Sequence, residues 1–163
     1  EKGGSKFTHG NIKSSNVLLS NGHNATATSD YSLAPIFGSS PTASRIVGYR
    51  APEVLQMRKI TQKSDVYSYG MVLLELITSQ KATSKLRENV MHMDKEGRGR
   101  DVMDPFVLQS CLWPEYIDKA LSLAILCVSE SPSSRPTMVD LISILDGLCP
   151  ILSPLKSPHS DSP

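Results

Sequence analysis

The chain has 163 residues, 39% of them hydrophobic and 20% charged, with a formal net charge of +1. That length suits one domain with a workable core, and the balance excludes a disordered or collagen-like polymer. A charge this close to neutral leaves no electrostatic footprint for nucleic acid or another polyanion.

Residues 1–6 read as a truncated leader. Gly3-Gly4-Ser5 lies in no strand–turn–helix context and is not a phosphate-cradling loop. Next comes the polar octet His9-Gly10-Asn11-Ile12-Lys13-Ser14-Ser15-Asn16. Val17-Leu18-Leu19 followed by Asn21-Gly22 predicts a short strand and a hairpin turn. A returning strand over Ala25 to Ser29 would place Asp30, the first residue of Asp30-Tyr31-Ser32, at its end. Residues 34–47 are rich in Pro, Ser and Gly and lack a period, so they read as a loop. Its Ser39, Ser40, Thr42 and Ser44 are candidate phosphate acceptors, although plain loop polarity explains each of them equally well.

Gly48-Tyr49-Arg50-Ala51-Pro52-Glu53 precedes the clearest helix, which the spacing starts near Ser64 as N-cap with Asp65 in the first turn. Val66, Tyr69, Gly70, Leu73, Leu74 and Ile77 recur at helical spacing, and Met71, Val72 and Leu76 fill other faces. A helix apolar on nearly every face belongs in a core. From Gln80 to Pro114 the chain is polar, with Val102-Met103-Asp104-Pro105 as its one firm feature. The cluster Arg98-Gly99-Arg100 is flanked by Asp94, Glu96 and Asp101 and reads as a solvated loop. A second helix spans Glu115 to Val128, and a third opens just after Pro136, which a first turn tolerates.

Cys111, Cys127 and Cys149 are scattered and free of C-x-x-C spacing, which argues for reduced thiols in a cytosolic setting and against a zinc site. The apolar run Met71 to Leu74 is too short to cross a bilayer. Residues 149–163 carry Ser153-Pro154, Ser157-Pro158 and Ser162-Pro163 without periodicity and read as a disordered tail.

In their order, HGNIKSSN, Asp30-Tyr31-Ser32, Ala51-Pro52-Glu53, Ser64-Asp65-Val66-Tyr67-Ser68-Tyr69-Gly70 and Ser134-Arg135-Pro136-Thr137 resemble the landmarks of a protein-kinase C-terminal lobe. They are most similar to plant leucine-rich-repeat receptor-like kinases with atypical catalytic loops, over roughly residues 7–148. The resemblance implies a mainly α C-lobe with a short β-hairpin near the catalytic loop and no N-lobe in this chain. It also implies a cytoplasmic location, within a parent receptor of the plasma membrane. No direct membrane insertion and no nucleic-acid partner are expected of the chain itself; other protein kinases or signalling proteins are.

In such kinases the loop reads H-R-D-x-x-x-x-N, its Asp accepting the substrate proton and its Asn holding magnesium. Here Gly10 and Asn11 stand at the Arg and Asp positions, while His9, Lys13 and Asn16 fit. A carboxamide is a very poor proton acceptor at neutral pH. The resemblance further implies that Asn16 and Asp30 hold magnesium and Lys13 approaches the transferred phosphate. His9, Glu53, Asp65 and Arg135 would hold the fold, Glu53 and Arg135 as a pair and Asp65 on the loop backbone. With Gly10, the Arg that grips a phosphorylated activation loop is gone. Magnesium-ATP binding is expected to be weak or absent. Three readings stay open: an inactive interaction module, a weak ATP-dependent Ser/Thr kinase within a longer parent, and a gene fragment without function.

Overall fold

The computed structural model describes residues 7–19, 25–30, 47–57, 59–110 and 114–148. The expectations for the leader, the hairpin turn, most of the loop over 34–47 and the Ser/Pro tail fall outside them. So do Cys111 and Cys149.

Strands β1 (Val17–Leu19) and β2 (Ala25–Thr28) pair antiparallel, with Val17 opposite Thr28, Leu18 opposite Ala27 and an irregularity before Leu19 opposite Ala25. The rest of the described fold is helical: α1 (Pro52–Met57), α2 (Gln62–Thr78), α3 (Ser84–Lys95), α4 (Pro105–Ser110), α5 (Pro114–Cys127) and α6 (Met138–Leu148). Among the described residues no helix is long and apolar enough to cross a membrane.

Helix α2 is the axis of the molecule. Val66, Tyr67, Met71, Val72, Leu74 and Ile77 are all buried, whereas Leu76 points outward at 62% exposure. Its N-cap is Thr61, not Ser64. Thr61 Oγ1 accepts from the Ser64 amide, and Ser64 Oγ accepts in turn from the Thr61 amide, a reciprocal box that sets the start three residues earlier than expected. Helix α6 opens just after Pro136, as the sequence predicts, and is capped in a similar way. The Thr137 hydroxyl accepts from the Asp140 amide while Asp140 accepts from the Thr137 amide.

Helices α3 and α4 occupy the polar stretch in which only Val102-Met103-Asp104-Pro105 stood out as a firm feature. In α3 only Leu86 and Val90 are buried, one helical turn apart, which is too narrow a stripe to stand out among its charged neighbours. The arginines of the basic cluster are exposed and paired, Arg98 with Asp101 and Arg100 with Asp118.

Helices α2 and α5 approach closely at Gly70. A Cβ there would lie 2.6 Å from Cys127 Cβ, 2.9 Å from Val128 Cγ1 and 3.1 Å from the Ala124 carbonyl oxygen. Gly70→Ala gains about 1 kcal/mol of helix propensity. Forcing a methyl into a packed contact costs about 1–3 kcal/mol, and here it meets three atoms at once. The variant is expected to melt at a lower temperature than the parent chain; a melt unchanged or raised would mean the two helices can separate freely.

Candidate functional site

The octet 9–16 is bolted to the start of α2. The Asp65 side chain, 3% exposed, accepts from the His9 amide at 2.6 Å and from the Gly10 amide at 2.8 Å. Burial pushes this carboxyl above its usual range, and the two amide donors pull the other way. Gly10 turns the chain with φ 73°, a left-handed conformation that glycine adopts without a Cβ clash. His9 is buried, and its Nδ1 accepts from the Asn11 amide at 3.3 Å.

Beyond that turn the loop closes on itself. Asn16 Nδ2 donates to the Asn11 carbonyl at 3.0 Å, and the Asn16 amide donates to the Lys13 carbonyl at 3.0 Å. The Ser29 amide donates to the Asn16 carbonyl at 2.9 Å, which brings the end of β2 beside the loop. Asp30 is exposed and left-handed at φ 60°. Its carbonyl accepts from Asn11 Nδ2 at 3.4 Å. Asn11, Asn16 and Asp30 are thus joined into one cluster, with Lys13 half-buried on the same short loop.

The donor set suits a hard cation. Asn16 commits its amide nitrogen to the Asn11 carbonyl, which leaves its carboxamide oxygen as the other polar atom, and Asp30 is exposed. A carboxamide oxygen and a carboxylate are both hard donors of the kind that magnesium takes. At the position of a general base the arrangement differs: Asn11 offers an N–H donor to Asp30, while its Oδ1 is buried with no hydrogen-bond partner among the described residues.

Two further contacts brace the site. Arg135, 2% exposed, sends Nη1 to Glu53 Oε1 at 2.7 Å and Nη2 to Glu53 Oε2 at 2.9 Å. Its remaining donors reach the carbonyls of Ser129, Lys63 and Glu130, and its guanidinium lies 4.9 Å from the Tyr67 ring centroid. Burial alone would raise the Glu53 carboxyl; the hydrogen bonds from Arg135 outweigh it and hold that carboxyl below its usual range.

The second brace was not foreseen from sequence. The buried Tyr49 phenol donates to Glu75 and meets Ser14 Oγ at 3.1 Å, so loop, segment 47–49 and α2 share one junction. Burial and then the Glu75 carboxylate push this phenol upward. The available signal was Glu75 itself, a lone carboxylate in the apolar run from Met71 to Ile77.

The family model described as "Protein kinase domain" matches residues 4–144. A probable inactive receptor kinase of Arabidopsis thaliana is 37% identical over 157 residues, 90% of this chain and 24% of the relative. This chain spans only part of the curated relatives it matches, 24% of the length of some and 16% of others. Among solved structures, the pseudokinase domain of BIR2, an immune regulator of the RLK/Pelle family, aligns with a TM-score of 0.74 and 30% identity, over 88% of this chain and 44% of that one. The maize SIRK1 (sucrose-induced receptor kinase 1) kinase domain, bound to AMP-PNP, aligns with a TM-score of 0.71 and 32% identity, over 87% of this chain and 51% of that one.

Proposed function

The chain belongs to the protein kinase domain family, as part of that domain with plant receptor-like kinases as its relatives, and from that membership we propose that it is a pseudokinase-type signalling module that works through protein contacts. The observation that carries the proposal is Asn11. A positioned general base contributes on the order of 10²–10⁴ in rate. The side chain here is a carboxamide that donates to the Asp30 carbonyl and buries its only acceptor oxygen.

The remaining parts support retained architecture rather than turnover. Asp65 holds the loop and Arg135 holds Glu53, so a partner would meet a preformed surface. The partners proposed are other protein kinases or signalling proteins, on the cytoplasmic side of a plasma-membrane receptor that carries this domain.

A second reading, weak Ser/Thr phosphotransfer within a longer parent, is favoured by one observation: Asn16 and Asp30 still offer two oxygens beside the loop. When bound, magnesium-ATP supplies the phosphoryl group and the charge that steadies it. Asn16 and Asp30 would hold the metal, and Lys13 would face the phosphate as a point charge. Nothing at Asn11 would take the proton.

The test is phosphate incorporation from labelled magnesium-ATP into the chain itself and into a general acceptor protein, alongside retention of an active receptor-like kinase domain on the immobilised chain. No incorporation together with retention is the expected result. Incorporation that disappears in Asp30→Ala would overturn the proposal and favour the second reading.

A further inference from the structure

Asp30 sits in a left-handed backbone conformation that few L-residues other than Asn and Asp enter, and neighbouring contacts help to hold it there. Two hydrogen bonds flank that turn. The Ser29 amide donates to the Asn16 carbonyl at 2.9 Å, and Asn11 Nδ2 donates to the Asp30 carbonyl at 3.4 Å.

Asn11 is well placed for this because its own backbone is fixed on both sides. Its amide donates to His9 Nδ1 at 3.3 Å, and its carbonyl accepts from Asn16 Nδ2 at 3.0 Å. The side chain leaves that frame with its NH₂ toward Asp30 and its oxygen toward a buried spot without a donor among the described residues. A carboxylate of the same shape has no proton to give. One of its oxygens would face the Asp30 carbonyl oxygen and the other would be buried unpaired, which is unfavourable on both counts.

From this geometry we infer that Asn11 is a positioning residue: its carboxamide clamps the Asp30 turn, so the asparagine is fitted to this loop rather than being only a lost base. The inference rests on reading residues 9–16 and Asp30 as one site. It concerns how that site is held, not whether it transfers phosphate. It predicts that restoring a carboxylate at position 11 loosens the turn.

The test is amide hydrogen exchange, expressed as protection relative to intrinsic rates, in the parent chain, Asn11→Leu and Asn11→Asp. At neutral pH both variants are expected to lose about 2- to 10-fold protection at residues 28–30, the weight of one hydrogen bond. Protection in α2 and α5 should not change. As the pH is lowered the introduced carboxyl becomes protonated and regains a donor, at a higher pH than a free side chain because its charged form is buried beside a carbonyl oxygen. Asn11→Asp should then recover protection relative to Asn11→Leu at the same pH, which a role of shape alone would not produce.

Parent-like protection in either variant at neutral pH would sink the inference, as would failure of the acidic recovery. If neither variant folds, the Asn11 side-chain NH₂ of the parent chain decides by NMR. Exchange slower than that of a free amide supports the clamp, and exchange at the free rate overturns it. Phosphate incorporation by the parent chain would refute the pseudokinase proposal without touching this result.

Discussion

Arg135→Met is expected to destabilise the chain by about 3–5 kcal/mol, the usual loss when one partner of a buried ion pair is removed. The guanidinium holds both Glu53 oxygens and the carbonyls of Ser129, Lys63 and Glu130, and methionine fills much of its volume without replacing any of these bonds. The Glu53 carboxylate, only 12% exposed at its side chain, would be left without its counter-charge. At about 2–4 °C per kcal/mol for a domain of this size, the melting temperature should fall by roughly 6–20 °C. A fall under 2 °C would show that the fork holds nothing together.

The same pair has a pH signature with a definite sign. The Glu53 carboxyl lies below its usual range in the folded chain, so its stabilisation is complete above the unfolded-state value of about 4.3 and fades as pH falls through the folded one. Asp65 works in the opposite direction. Its carboxyl is raised by burial, so ionising it carries a cost that is absent below the unfolded value and complete above the folded one, a cost set against the two amide bonds it accepts. The Glu53 part is therefore read from a difference: melts between pH 3 and 6 should have a shallower acid limb in Glu53→Gln than in the parent chain.

Asp65→Ala is the second large effect expected, about 2–4 kcal/mol, because bonds to a charged acceptor are strong and two amides lose theirs together. Those amides, on His9 and Gly10, form the attachment of the whole loop to α2. Hydrogen exchange should accelerate throughout residues 9–16, while the junction of Arg135 with Glu53 keeps its protection. Asp65→Asn should fall between, since one carboxamide oxygen can still accept while its NH₂ opposes the other amide. Unchanged protection of the loop in the alanine variant would mean that Asp65 does not anchor it.

How much of this was legible in sequence depended on the range of the interaction. The axial helix was readable because Val66, Leu74 and Ile77 recur at helical spacing, and all are buried. Its first residues were misjudged because Thr61 and Ser64 are both good caps, and only the reciprocal bonds between them decide which one serves. Helix α3 was missed because Leu86 and Val90 leave too little apolar pattern for a sequence to display.

The site divides along the same line. The asparagine at position 11 could be read directly, and the kinase resemblance supplied both the carboxylate it replaces and the expected roles of Asn16, Asp30, Glu53, Asp65 and Arg135. What residue types could not supply was orientation. Which end of the Asn11 carboxamide faces Asp30 depends on backbone bonds to His9 and Asn16, and the meeting of Ser14, Tyr49 and Glu75 joins segments far apart in the chain.

The Arg135–Glu53 fork spans 82 positions, and this sets an order on the birth of the molecule. At about 5–20 residues per second of synthesis, some 4–16 s pass between the making of Glu53 and the arrival of its partner. For the part of that interval between the making of Thr78 and of Pro114, α2 exists without α5, and Met71 and Leu74 have not yet gained the neighbours that bury them in the finished chain. The form most in need of a chaperone is therefore the nascent one, with its axis complete and its last helices still unmade.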